Sequence, residues 1–189
     1  RFVRHNHWGP AQFGLGHSMA AKRCGIVGMG NIGLQIARRA ESFGMEILYH
    51  NRRAREDVPA HYRFVDSLLE LAKQSDTLVL ALPGGASTKH LINAQVLEAL
   101  GANGYLITVA RGTVVDEAAL VQALQAGTIA GAGLDVFEHE PQVPDALKRM
   151  EQVVLLPHIA SGTYETRKAM ADLFLANLNA WFSDGKLVT

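Results

Sequence analysis

Cys24-Gly25-Ile26-Val27-Gly28-Met29-Gly30-Asn31-Ile32-Gly33 joins an apolar run to a glycine-rich turn, and Ile32, Ile36, Ala37, Ala40 and Phe43 then recur at helical spacing. The run Cys24 to Val27 reads as a strand, the 3.6-residue period as a helix, and Gly44 as its stop. Glu46 to Tyr49 resumes as a strand. A right-handed crossover makes the two strands of such a unit parallel. In this setting Gly28 permits the tight turn, Gly30 lets backbone approach a pyrophosphate, and Gly33 allows close helix–strand packing. Asn31 and Ile32 then offer N–H groups at a helix N-terminus, where the aligned peptide dipoles favour an anion. The stretch predicts a dinucleotide site.

The pattern repeats outward from there. Ser67 to Gln74 reads as a short amphipathic helix, Thr77 to Leu82 as a strand, Ala94 to Leu100 as a helix and Tyr105 to Val109 as a strand. Asp116 to Ala126 is a helix with Leu120, Val121 and Leu124 on one side; strands follow at Ala130 to Val136 and Val153 to Leu156. A final helix from about Thr163 to Ser183 carries Met170, Leu173, Phe174, Leu178 and Trp181 as an expected buried stripe. Strands alternating with helices specify an α/β fold of the Rossmann type, a doubly wound parallel sheet whose ligands lie at the carboxyl ends of the strands.

Composition narrows the function. A chain of 189 residues, 48% hydrophobic, can bury a full core. Lys plus Arg balance Asp plus Glu at 18 each, so overall charge makes no case for a nucleic-acid partner. One cysteine forms no internal disulfide framework and fits a reducing compartment. No apolar stretch reaches the roughly 20 residues of a membrane span. A cytoplasmic location and a small-molecule ligand are the expectation. Cys24 reads as a core residue, His61, His90 and His139 as capping or surface residues, and no metal cluster is evident.

About twenty residues beyond the turn, NAD-type sites place a carboxylate that accepts from the adenine ribose hydroxyls. Here Tyr49-His50-Asn51-Arg52-Arg53 offers neutral and cationic groups. A carboxylate would repel a 2′-phosphate, whereas guanidinium forks bind one through paired charge-assisted bonds. Asn51, Arg52 and Arg53 therefore predict a preference for NADP(H), with NAD(H) as the second choice.

Three segments at strand ends each supply one reactive side chain: Val109-Ala110-Arg111-Gly112, Leu134-Asp135-Val136-Phe137-Glu138-His139-Glu140-Pro141, and Pro157-His158. A ketone reductase needs a proton donor for the growing alkoxide, and histidine suits that role near neutral pH. A carboxylate beside it stabilises the imidazolium, and an arginine grips a substrate carboxylate and orients the carbonyl carbon. His158, Glu140 and Arg111 fit these roles.

These motifs, in this order, resemble the cofactor-binding portion of the D-isomer-specific 2-hydroxyacid dehydrogenases over almost the whole chain. The resemblance implies that Arg111 binds substrate, that Glu140 and His158 form the acid/base pair, and that Asp135 approaches the nicotinamide carboxamide. Leu82, Pro83, Val109 and Ala110 are then expected against the cofactor, with Arg111 and His158. Thr108 departs from the asparagine of many relatives. The basic segment after Tyr49, with Leu82-Pro83-Gly84-Gly85, is most similar to the NADPH-dependent glyoxylate/hydroxypyruvate reductases. Phosphoglycerate and formate dehydrogenases share the trio but usually look acidic at the ribose position. The alternative from another class is a cofactor-sensing interaction protein, like the transcriptional corepressors that resemble these enzymes.

The resemblance also implies a homodimer and a substrate-binding domain that is largely absent here, since the chain opens on Arg1. The expected organisation is an opening segment 1–17, a dinucleotide-binding domain 18–160, and a C-terminal helix 161–189 leading back toward the substrate domain. The isolated chain is expected to bind cofactor and to turn over poorly.

Overall fold

The computed structural model describes residues 3–5, 7–9 and 15–189, so the opening segment lies partly outside the described residues. The glycine turn joins β1 (Arg23–Val27) to α1 (Asn31–Ser42), and β2 (Glu46–His50) follows, parallel to β1. Next come β3 (Arg63–Phe64), α2 (Leu68–Lys73), β4 (Thr77–Leu80), α3 (Ala94–Leu100) and β5 (Tyr105–Thr108). The chain continues through α4 (Glu117–Gln125), β6 (Gly131–Leu134), α5 (Asp145–Arg149), β7 (Val153–Leu155) and α6 (Tyr164–Asp184). Every pairing is parallel, in the order β3-β2-β1-β4-β5-β6-β7. The chain winds one way from β1 to β3 and the other from β4 to β7, so the crevice between the ends of β1 and β4 is the switch point.

Side chains alternate across each strand and feed two cores. Leu48, Leu78, Leu80 and Leu106 pack with Leu71, Leu97 and Leu120 of α2, α3 and α4. Ile26, Ile47 and Tyr49 pack on the other face with Ala37 and Ala40 of α1. Helix starts follow local chemistry: Ser67, Asn93, Asp116 and Thr163 each accept a backbone N–H from the first turn of α2, α3, α4 and α6. Cys24 is buried in β1, as its composition suggests.

Two expectations need correction. The stripe of α6 is not buried: Met170 is 54% exposed, Leu173 44%, Phe174 63%, Leu178 38% and Trp181 56%. Periodicity reports that a helix has an apolar face and says nothing of what covers it. The strands also end earlier than the apolar runs, since β4 stops at Leu80 rather than Leu82 and β6 at Leu134 rather than Val136. The β6 run overshoots because residues past the sheet, Asp135 and Val136, are themselves buried.

Candidate active site

A cavity of about 920 Å³ opens at the switch point, lined by the glycine turn, Ala81 to Gly85, Val109 to Thr113, Phe137 to Glu140, and His158. Behind it, Gly28 has φ +96°, and a Cβ there would stand 2.7 Å from the Ala81 carbonyl oxygen. A Cβ on Gly33 would stand 2.2 Å from the Gly28 oxygen, so the turn and α1 pack backbone to backbone. Gly30 differs, since nothing lies within 4 Å of its Cβ position. Its open side faces a helix N-terminus with no side-chain cap and no acid in the first turn. Free N–H donors beside open space form the donor set that the pyrophosphate of a dinucleotide requires, so the residues present fit that cofactor.

Gly30, Asn31, Ile32, Leu82, Pro83, Val109, Ala110, Arg111, Glu140 and His158 all line this cavity. Gly28 and Gly33 lie behind it as packing residues. Beyond β2, Asn51 Oδ1 accepts the Met29 N–H at 2.7 Å, so its side chain serves the turn directly. Arg52 and Arg53 are exposed and make no hydrogen bond or ion pair among the described residues. Two unpaired guanidinium groups thus stand at the carboxyl end of β2.

Across the cavity, His158 Nδ1 and Glu140 Oε2 are 2.7 Å apart. The other Glu140 oxygen accepts the Phe137 N–H at 3.0 Å, which fixes the carboxylate plane. Partial burial works against the charged form of Glu140, but the bonds from His158 and Phe137, with the positive charges of His158 and Arg111, outweigh it and hold this carboxyl below its ordinary value. With Nδ1 committed to Glu140, Nε2 is the ring nitrogen left to exchange a proton with a substrate. Arg111 donates to the Ala110 carbonyl at 2.7 Å through one nitrogen, leaving the rest of its fork exposed.

Asp135 does not line the cavity. It is buried, and its two oxygens accept the Ile159 and Ala160 N–H groups at 2.7 and 2.9 Å, while its carbonyl accepts the His158 N–H at 2.8 Å. Its carboxylate thereby holds the segment that carries the histidine. Thr108 Oγ1 accepts the Ala110 N–H at 3.3 Å, turning the chain toward Arg111.

Several structural partners escaped the sequence reading. A Cβ on Gly112 would stand 1.8 Å from the Phe137 carbonyl oxygen, so the arginine and glutamate loops touch through a bare backbone. Gly84 leaves room for the Arg111 side chain in the same way, with a Cβ there 2.8 Å from Arg111 Cγ. Glu138, two residues before Glu140, bonds His90 Nε2 at 2.7 Å and donates its N–H to Glu117 at 3.3 Å. Glycines beside a reactive motif were the available signal for the first two; the His90–Glu138 bond spans 48 residues and leaves no local trace.

Residues 1–160 match the model of the D-isomer specific 2-hydroxyacid dehydrogenase family, NAD binding domain. The chain is similar, at 48% identity over its whole length, to glyoxylate/hydroxypyruvate reductase A of Arabidopsis thaliana, and covers 60% of that protein. At 49% identity it is similar to hydroxyphenylpyruvate reductase of Plectranthus scutellarioides, again covering 60%. Among solved structures it resembles an NADPH-dependent glyoxylate/hydroxypyruvate reductase from Sinorhizobium meliloti in complex with NADP and malonate, with 50% identity and a TM-score of 0.92 over all of this chain and 59% of that one. The chain thus spans about 60% of the length of the relatives it matches. With the glycine turn, the parallel sheet and the ordered trio agreeing, this chain belongs to the D-isomer specific 2-hydroxyacid dehydrogenase family, and its matched region is that family's NAD binding domain.

Proposed function

We propose that this chain is the cofactor-binding part of an NADP(H)-preferring reductase that converts small 2-oxo acids of the glyoxylate and hydroxypyruvate type into D-2-hydroxy acids, with NAD(H) accepted less well. The observation that carries the reading is the 2.7 Å His158–Glu140 bond on the wall of the cavity that the glycine turn also lines. When bound, the dihydronicotinamide supplies the hydride. Arg111 binds the substrate carboxylate and holds the carbonyl carbon in line for attack. His158 donates its Nε2 proton to the carbonyl oxygen as charge builds there, and Glu140 keeps the resulting imidazole oriented. Asn31 and Ile32 N–H groups receive the pyrophosphate, and Arg52 and Arg53 the 2′-phosphate. Relatives named as glyoxylate/hydroxypyruvate reductases and the NADPH-dependent structural neighbour support this choice of substrate and cofactor.

The His158 and Glu140 side chains are 48% and 35% exposed, so water reaches the site freely in this chain. Turnover therefore requires a second surface that closes the cavity and excludes water. The apolar face of α6, with exposed Phe174, Trp181 and Phe182, is the surface we assign to a neighbouring subunit of a homodimer or to the substrate-binding domain. Among the described residues no helix is long and apolar enough to cross a membrane, and we place the protein in the cytoplasm. A steady-state panel of glyoxylate, hydroxypyruvate and bulkier 2-oxo acids with NADPH and NADH, run on the complete gene product, tests the reading. Hydroxypyruvate or glyoxylate with NADPH should give the highest kcat/KM; no turnover of any 2-oxo acid would refute it.

A further inference from the structure

The third arginine of the Arg52-Arg53-Ala54-Arg55 segment behaves unlike its neighbours. Arg55 Nη1 donates to the Met29 carbonyl oxygen at 2.5 Å, and its Nε and Nη2 form a fork on Asp57, with Nε to Oδ1 at 2.7 Å. The Arg55 N–H donates to the Tyr49 hydroxyl at 3.0 Å, and Tyr49 is buried at the end of β2. Met29 is the residue between the first two glycines of the phosphate turn, with its side chain fully buried. Its N–H is already held by Asn51 Oδ1 at 2.7 Å. Met29 is therefore gripped on both its N–H and its carbonyl, and both grips come from the loop that presents Arg52 and Arg53.

We infer that Arg55, with Asn51, is a positioning residue that locks the phosphate turn and the Arg52-Arg53 loop into one rigid body, and is not itself a ligand of the cofactor. Each of its three side-chain nitrogens is tied to Met29 or Asp57, which takes three of its five N–H donors and fixes the plane of the guanidinium, whereas Arg52 and Arg53 keep all of theirs. The consequence is a division of labour. Arg52 and Arg53 decide between NADPH and NADH, because only one of the two carries a 2′-phosphate. Arg55 affects both cofactors alike, because both place a pyrophosphate against the turn that it holds. An ammonium at position 55 could reach one partner and not bridge Met29 and Asp57 together.

The inference rests on the NADP(H) reading for the role of Arg52, and its test separates the two. NADPH and NADH are titrated against this chain by calorimetry for the wild type, Arg52→Ala, Arg55→Ala and Arg55→Lys, with thermal melts of each protein. Arg55→Ala should weaken both cofactors by a similar factor of roughly ten, leaving their ratio unchanged, and Arg55→Lys should weaken both by less. Arg52→Ala should weaken NADPH alone. If Arg55→Ala lowers NADPH affinity and spares NADH, Arg55 is a phosphate ligand and the inference is wrong. If the melting temperature drops while both affinities hold, Arg55 serves loop stability only, and the inference again fails. Should Arg55→Ala not fold, Arg55→Lys decides by the same ratio. A wild type without preference for NADPH would overturn the NADP(H) reading, while equal weakening of both cofactors by Arg55→Ala would still uphold the role of Arg55.

Discussion

His158 has φ +52°, a left-handed backbone region that only a few per cent of non-glycine residues occupy, so local bonds are expected to hold it there. Asp135 does so, with three bonds to the His158, Ile159 and Ala160 N–H groups. Asp135→Ala removes the two carboxylate bonds and leaves the carbonyl bond in place, so it should cost about 1.5–3 kcal/mol of stability, as expected for hydrogen bonds to a charged group, and urea denaturation measures it. On the proposed mechanism, His158→Gln in the complete enzyme lowers kcat about 10²–10⁴-fold while NADPH affinity changes little. A matching fall in cofactor affinity would place the histidine in binding instead. The depressed Glu140 carboxyl gives a pH signature of known sign. Its stabilisation is fully present above the ordinary value of 4.5 and is lost as pH falls through the lower folded value. The melting-temperature gap between wild type and Glu140→Gln should thus narrow as pH falls below 4.5; a gap that widens on acidification contradicts the assignment.

At the scale of elements, contacts between loops place the trio, and those contacts run through glycine. Gly112 meets the Phe137 carbonyl with no room for a methyl group, so Gly112→Ala must push the Arg111 and Glu140 loops apart. We expect a loss of about 2 kcal/mol or more, with impaired turnover in the complete enzyme, measured by denaturation and kcat/KM. The same scale shows what a sequence can disclose. β1, α1 and β2 were legible because a short apolar run, a 3.6-residue period and a glycine stop occur together. α3 was read to the residue, since Asn93 caps one end and Gly101 the other. β3 was not read because two residues, Arg63 and Phe64, carry no period. α5, five residues after Pro144, is too short for a stripe. That Arg111, Glu140 and His158 share one cavity was legible through their motifs, while the holding roles of Asp135, Glu138 and Gly112 were not, because each acts through a partner distant in sequence.

Across the whole molecule, the doubly wound sheet brings the glycine turn after β1 and the loops after β4, β5 and β6 to one crevice, with the arginine loop after β2 tied to that turn through Asn51 and Arg55. The single cysteine reports on that sheet. Cys24 is buried in β1, and burial pushes its thiol up to about 11, so it should resist thiol reagents near neutral pH until the sheet opens. At a hundredfold excess of NADPH over its Kd, labelling by a disulfide reagent should slow about a hundredfold, since ligand binding stabilises the closed form. Labelling indifferent to the cofactor would mean that β1 opens without disturbing the site. On the proposed function, the crevice of this chain selects NADP(H) through the cations after β2. The most direct measurement is the NADPH and NADH dissociation constants of wild type and Arg52→Asp. The wild type should bind NADPH more tightly than NADH, and the variant should lose NADPH affinity roughly hundredfold with NADH nearly unchanged. Equal affinity for the two cofactors in both proteins would contradict this selection.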